Sequence, residues 1–160
     1  MKILLAMDAS ADSRQALDWV ARIHWPAGSR ILVLGMAHLK DGDMNSTSEA
    51  SPPPSGLTHA HLEKTGHVVS RAVRTLREAG LSSKGRLAVG NSPPSLIKDI
   101  CRERVDLVVI GSSSHLGGTG RTRCSASGLV VTQAPCSVLV VKRDRRLPTK
   151  QPSRIAARTT

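Results

Sequence analysis

Five short runs of aliphatic residues recur along the chain: Ile3-Leu-Leu-Ala-Met7, Ile31-Leu-Val-Leu34, Arg86-Leu-Ala-Val89, Leu107-Val-Val-Ile110 and Val138-Leu-Val-Val141. Between them lie stretches whose apolar residues fall at helical spacing. Short apolar runs alternating with helical segments are strands buried on both faces, and they predict a parallel sheet covered by helices. The composition fits, because Trp19 and Trp25 are the only aromatics and the core must be built from Ile, Leu, Val and Ala. At 160 residues the chain suits one such domain.

The connecting segments carry their own signals. Asp8-Ala-Ser10 offers capping side chains to a helix with Ala16, Leu17, Val20 and Ala21, stopped by Pro26 and Gly28. Residues 40 to 56 shift to Asp, Ser, Thr, Gly and Pro52-Pro53-Pro54, which reads as a surface loop, and His59-Ala-His61 reads as part of that solvated segment. Leu62, Val69, Ala72, Val73 and Leu76 mark a long helix ending at Gly80. Pro93 or Pro94 opens a helix through Leu96, Ile97 and Ile100, and a further helix is expected over about 124 to 133.

Charge and cysteine usage narrow the function classes. The net charge is +11, but residues 142 to 160 hold seven basic residues against Asp144 alone and carry +6 of it. That segment lacks apolar periodicity, so 143–160 reads as a basic disordered tail behind a domain of 1–142. Without aromatic stacking residues beside it, nucleic acid is not the expected partner. No run is long enough to span a bilayer and none resembles a signal segment, so a cytoplasmic protein without membrane contact is expected. Cys101, Cys124 and Cys136 show no metal-ligand spacing and are read as reduced thiols. Neither a metal site nor a catalytic group is assigned; the chain is not read as an enzyme.

The turn after the fourth run concentrates the functional question. Asp106-Leu-Val-Val-Ile110 empties into Gly111-Ser-Ser-Ser114, and a second helix start follows at Cys124-Ser125. A buried strand leading into small residues and a helix N-terminus is where parallel sheets present N–H groups to an anion. With right-handed crossovers, Asp8 and Gly111 meet at the carboxyl ends of the first and fourth strands.

Four separated signatures resemble the universal stress protein family. These are Ile3-Leu-Leu-Ala-Met-Asp-Ala-Ser10 with Ala16-Leu17, Ala88-Val-Gly-Asn-Ser-Pro93, Asp106-Leu-Val-Val-Ile-Gly-Ser112, and Ala134-Pro-Cys-Ser-Val-Leu-Val-Val141. The resemblance implies an adenine nucleotide alpha hydrolase-like α/β fold: a five-stranded parallel sheet in the order 3-2-1-4-5 with helices on both faces. It also implies a homodimer through the fifth strand and, in one branch, ATP with Mg over the first and fourth strand ends. On that reading the site is Ala6, Met7, Asp8, Met36, Ile110, Gly111, Ser114, Ser125, Ala126 and Ser127, with N–H groups at 111–114 and 125–127 on the phosphates. Asp8 would lie near the ribose and Met36 beside adenine. The family loop has glycine at two positions held here by Ser114 and Cys124, where a Cβ obstructs close backbone approach. Two functions therefore stand open: a stress-response module that binds ATP or another adenine nucleotide, and a dimeric interaction module with unknown protein partners and no nucleotide.

Overall fold

In a computed structural model of the chain, residues 1–36, 59–88, 93–112 and 126–142 are described, with the backbone alone for 36, 59–61, 93, 94 and 126. Element order is β1 (Lys2–Met7), α1 (Ala11–Arg22), β2 (Arg30–Met36), α2 (His59–Glu78), β3 (Ser82–Ala88), α3 (Pro93–Glu103), β4 (Leu107–Gly111), α4 (Ala126–Gln133) and β5 (Ser137–Val141). All strand pairs are parallel and the sheet order is β3-β2-β1-β4-β5. The predicted topology is the observed one.

Side-chain alternation along β1 builds both halves of the core. Ile3, Leu5 and Met7 point to one face with Ile31, Val33 and Val109, where Ala16, Leu17 and Val20 of α1 and Val69, Ala72 and Leu76 of α2 cover them. Leu4 and Ala6 point to the other with Leu34, Val108 and Ile110, under Leu96 and Ile100 of α3 and Val130 of α4. A period of two in a strand divides consecutive residues between opposite faces, so a continuous apolar run needs cover on both.

The edge strand β3 departs from the expected 86–89. It begins at Ser82, pairs from Arg30↔Ser82 to Met36↔Ala88, and Val89 lies outside the described residues. Its first half, Ser82-Ser-Lys-Gly85, has no apolar pattern because backbone pairing to β2 does not require one. The side toward α2 is filled by the helix instead: a Cβ at Gly85 would stand 2.6 Å from Cγ1 of Val69. Arg86, on the other side, bridges to Oδ1 of Asp99 at 3.1 Å and Oε1 of Glu103 at 2.9 Å, tying β3 to α3. Two further boundaries differ. His59, Ala60 and His61 form the first turn of α2 rather than loop, and α4 starts at Ala126, with 124 and 125 outside the described residues.

Helices α2 and α3 end in the same hydrogen-bonded motif on different residues. After α2, Gly80 N–H donates to Arg77 O and Leu81 N–H to Leu76 O; after α3, Arg104 N–H donates to Cys101 O and Val105 N–H to Ile100 O. The pivot residue is left-handed in both, with φ 78° at Gly80 and 49° at Arg104. A side chain in that region costs about 1 kcal/mol where glycine costs little. Arg104→Gly should therefore raise unfolding stability by about 0.5–1 kcal/mol, read from the urea midpoint.

At the amino end of the sheet, Lys2 Nζ donates to Oε2 of Glu103 at 2.7 Å while its backbone N–H donates to Oδ2 of Asp106 at 2.7 Å. The Lys2 hydrogen bond, helped by the charges of Lys2, Arg86 and Arg102 and opposed by burial, holds the Glu103 carboxyl below the usual 4.5. A carboxyl lowered by folding contributes stability above its unfolded value and loses it as pH falls through the folded one. The chain should weaken as pH drops below 4.5, and Glu103→Gln should flatten that slope in urea titrations while lowering stability at neutral pH.

Candidate functional site

Parallel register brings three strand ends to one place. Met7 of β1 pairs with Gly35 of β2, and Ala6 pairs with Ile110 of β4, so Asp8, Met36 and Gly111 follow at the same edge. Helix α1 follows β1 after a three-residue link, and α4 leads into the parallel strand β5 after another, so both helices run against the strands with their N-termini directed toward this edge.

The β1–α1 turn is fixed by three serine and aspartate contacts. Asp8 Oδ1 accepts from Ser10 N–H at 2.9 Å, Ser10 Oγ accepts from Ser13 N–H at 3.1 Å, and Ser13 Oγ donates to Asp8 O at 2.7 Å. Ser10 is thus the N-cap, and Asp8 stands two residues earlier, setting the turn rather than capping the helix. Asp8 is 8% exposed, and Ser13 is buried. The sequence reading missed Ser13; its only signal was a second hydroxyl three residues after the cap.

Gly111 has a tertiary reason to be glycine. An added Cβ would lie 2.5 Å from the carbonyl carbon of Asp12, 2.6 Å from its oxygen and 2.7 Å from Ser13 N. The end of β4 therefore touches the backbone of the first turn of α1. The same contact brings the backbone of Asp12 and Ser13 to the carboxyl end of β4.

The remaining expected residues divide by what they can offer. Ala6, Met7 and Ile110 are core side chains, 1%, 1% and 4% exposed, so only their backbone faces the edge. Ser112 N–H, one of the amides expected on a phosphate, donates instead to Val141 O at 2.8 Å, extending the β4–β5 ladder by one rung. Ser127 is buried in the first turn of α4, and Ala126 opens that helix. Ser114, Ser125 and Cys124 lie outside the described residues, as do the loop of 40–56 and the tail of 143–160.

Other features lie away from this edge. A cleft of about 470 Å³ between α2 and β3 is lined by Gly66, Ser70, Val73, Arg77, Gly85 and Leu87. Its Arg77 already donates to Ser83 O at 3.2 Å, and nothing there converges on a ligand from two helix N-termini. Among the described residues no cluster of three or more His, Cys, Asp or Glu could hold a metal, and no helix is long and apolar enough to cross a membrane.

The parallel order β3-β2-β1-β4-β5, with helices covering both faces of the sheet, defines a doubly wound α/β domain. Within that class the chain belongs to the universal stress protein family, whose sequence profile matches residues 1–142. A search of curated proteins finds no match to this chain. Among solved structures, a universal stress protein family protein from Arabidopsis thaliana with AMP bound is similar at 20% identity and a TM-score of 0.64, covering 94% of this chain and 97% of that one. The Archaeoglobus fulgidus universal stress protein in complex with dAMP is similar at 17% identity and a TM-score of 0.65, covering 89% and 98%. A universal stress protein in complex with cAMP has 17% identity and a TM-score of 0.63, covering 89% and 96%.

Proposed function

We propose that this chain is a cytoplasmic stress-response module that binds an adenine nucleotide, ATP with Mg or a monophosphate, at the carboxyl ends of β1 and β4. The observation that carries this reading is the meeting of Asp8, Gly111 and the first turn of α1 at one edge. The relatives crystallised with AMP, dAMP and cAMP support it. The site offers a carboxylate and oriented backbone N–H groups, the partners of ribose hydroxyls and phosphate oxygens. In this reading Asp8 accepts from the ribose, Met36 lies beside adenine, and the amides of Ala126 and Ser127, with Ser114 and Ser125, face the phosphates. Mg supplies charge neutralisation on a triphosphate when bound. No residue is assigned to chemistry; the module senses rather than hydrolyses.

Calorimetric titration of Mg-ATP, AMP and cAMP into the full chain, and into a chain lacking 143–160, tests the reading. Saturable micromolar binding that survives removal of the tail is expected; binding lost with the tail would reduce it to charge attraction. Asp8→Asn keeps an acceptor for Ser10 N–H but removes the charge, and should weaken binding about tenfold with the thermal midpoint nearly unchanged. Cys124→Gly should tighten it by removing a Cβ.

One observation favours the second function, a dimeric interaction module. Among the described residues β5 pairs with β4 alone, and its Val138, Leu139 and Val140 are half-buried. An apolar edge strand of this kind invites pairing with a second copy across a two-fold axis. Sedimentation at tens of micromolar should give a dimer, and a monomer would defeat that part of the proposal.

A further inference from the structure

Strand β3 closes the sheet at the end opposite β5, and among the described residues it pairs with β2 alone. On the unpaired side of such a strand every second residue turns its backbone N–H and C=O away from the sheet. Side chains divide by the period of two. Ser83, Gly85 and Leu87 face α2, where Ser83 Oγ donates to Val73 O at 3.2 Å and Leu87 Cδ1 lies 4.0 Å from where a Cβ on Gly66 would stand. Arg86 turns to Asp99 and Glu103 on the other face, which the exposed Lys84 shares. The cleft of about 470 Å³ opens between this strand and one stripe of α2 that carries Gly66, Ser70, Val73 and Arg77. Leu87, 37% exposed, and the partly buried Val73 make an apolar patch in it. Arg77 Nη2 donates to Ser83 O at 3.2 Å, which leaves the other guanidinium donors for a carboxylate. Among the described residues no acidic side chain lines the cleft.

We propose that this edge takes a sixth strand from a protein partner, an extended acidic segment whose backbone pairs with β3. Its apolar side chains lie against Val73 and Leu87, and its carboxylates meet Arg77 and Lys84. Charge selects this occupant. A second copy of the chain joined through β3 would set the cations of one edge against those of the other, and like charges across a strand pair are destabilising. Arg86 does not change that balance, because Asp99 and Glu103 already neutralise it. A nucleic acid strand would need stacking platforms, and the only aromatics, Trp19 and Trp25, lie on neither α2 nor β3. An acidic peptide satisfies both requirements of the edge, open backbone groups and unopposed positive charge.

Fluorescence anisotropy of the full chain tests the proposal with a labelled peptide of the same length as β3, valine and glutamate alternating and aspartate at both ends. Saturable binding is expected, and none when lysine replaces the acidic residues. Two further probes carry methyl groups on alternate backbone nitrogens, one probe along each edge. One should bind like the parent and the other at least about tenfold more weakly, because only one edge of an added strand faces β3. Arg77→Glu and Lys84→Glu should each weaken binding about tenfold. Lys84 is exposed, so its variant keeps the fold and carries the test if Arg77→Glu does not. Absence of saturable binding, equal binding of the two methylated probes, or full affinity in Lys84→Glu would overturn the proposal. So would displacement by a single-stranded oligothymidylate as effective as that by unlabelled peptide, which would reduce the contact to attraction between polyions.

Discussion

Gly111→Ala should cost about 3 kcal/mol of unfolding stability and remove nucleotide binding together with it. The new Cβ would stand 2.5 Å from a backbone carbon of Asp12, an atom that no rotamer change can move aside. Either β4 or the first turn of α1 must shift, and overpacking of this kind costs typically 1–3 kcal/mol, more when the obstacle is main chain. Because Ser10 and Ser13 hold Asp8 through that same turn, the displacement reaches the proposed site. Urea unfolding followed by circular dichroism measures the loss. Gly66→Ala is the control: in mid-α2, its Cβ would meet nothing nearer than Leu87 Cδ1 at 4.0 Å, so it should stabilise by up to about 1 kcal/mol. Equal effects at the two positions would show that the approach of β4 to α1 is not as described.

Leu4→Ala should cost about 3–4 kcal/mol, the usual range for a fully buried leucine with little room to collapse. Leu4 is 0% exposed in the central strand, with Leu32 and Val108 opposite it on β2 and β4. It packs among Leu34, Leu96 and Ile100, so the void would open under α3 where three parallel strands hold the walls apart. Leu87→Ala on the edge strand, where the side chain is already 37% exposed, should cost below about 1 kcal/mol. Equilibrium urea unfolding of both variants distinguishes a rigid core from one that closes on the gap.

The contrast between β1 and β3 explains how far the sequence could be read. Ile3 to Met7 are buried on both faces, so their apolarity was obligatory and the strand was legible. Ser82 to Gly85 pair through the backbone at an edge, so no side chain had to announce them. The site behaves in the same way. Asp8 and Gly111 were legible as the ends of apolar strands, but Ser13 and Asp12 entered through a helix–strand contact that links residues about a hundred positions apart.

The sequence by itself determined the alternation of strands and helices, and thereby the parallel sheet and the edge where a site could form, while the order of its strands was implied by the resemblance of four signatures to a known family. Hydrophobic period is a local property, and local properties are written residue by residue. Tertiary structure alone decided that Gly111 serves the close approach of α1, that Ser112 N–H is spent on Val141, and that Asp8 sets a turn whose cap is Ser10. Those facts are distances between segments remote in the chain, and they arise only once the two faces of the sheet have been packed.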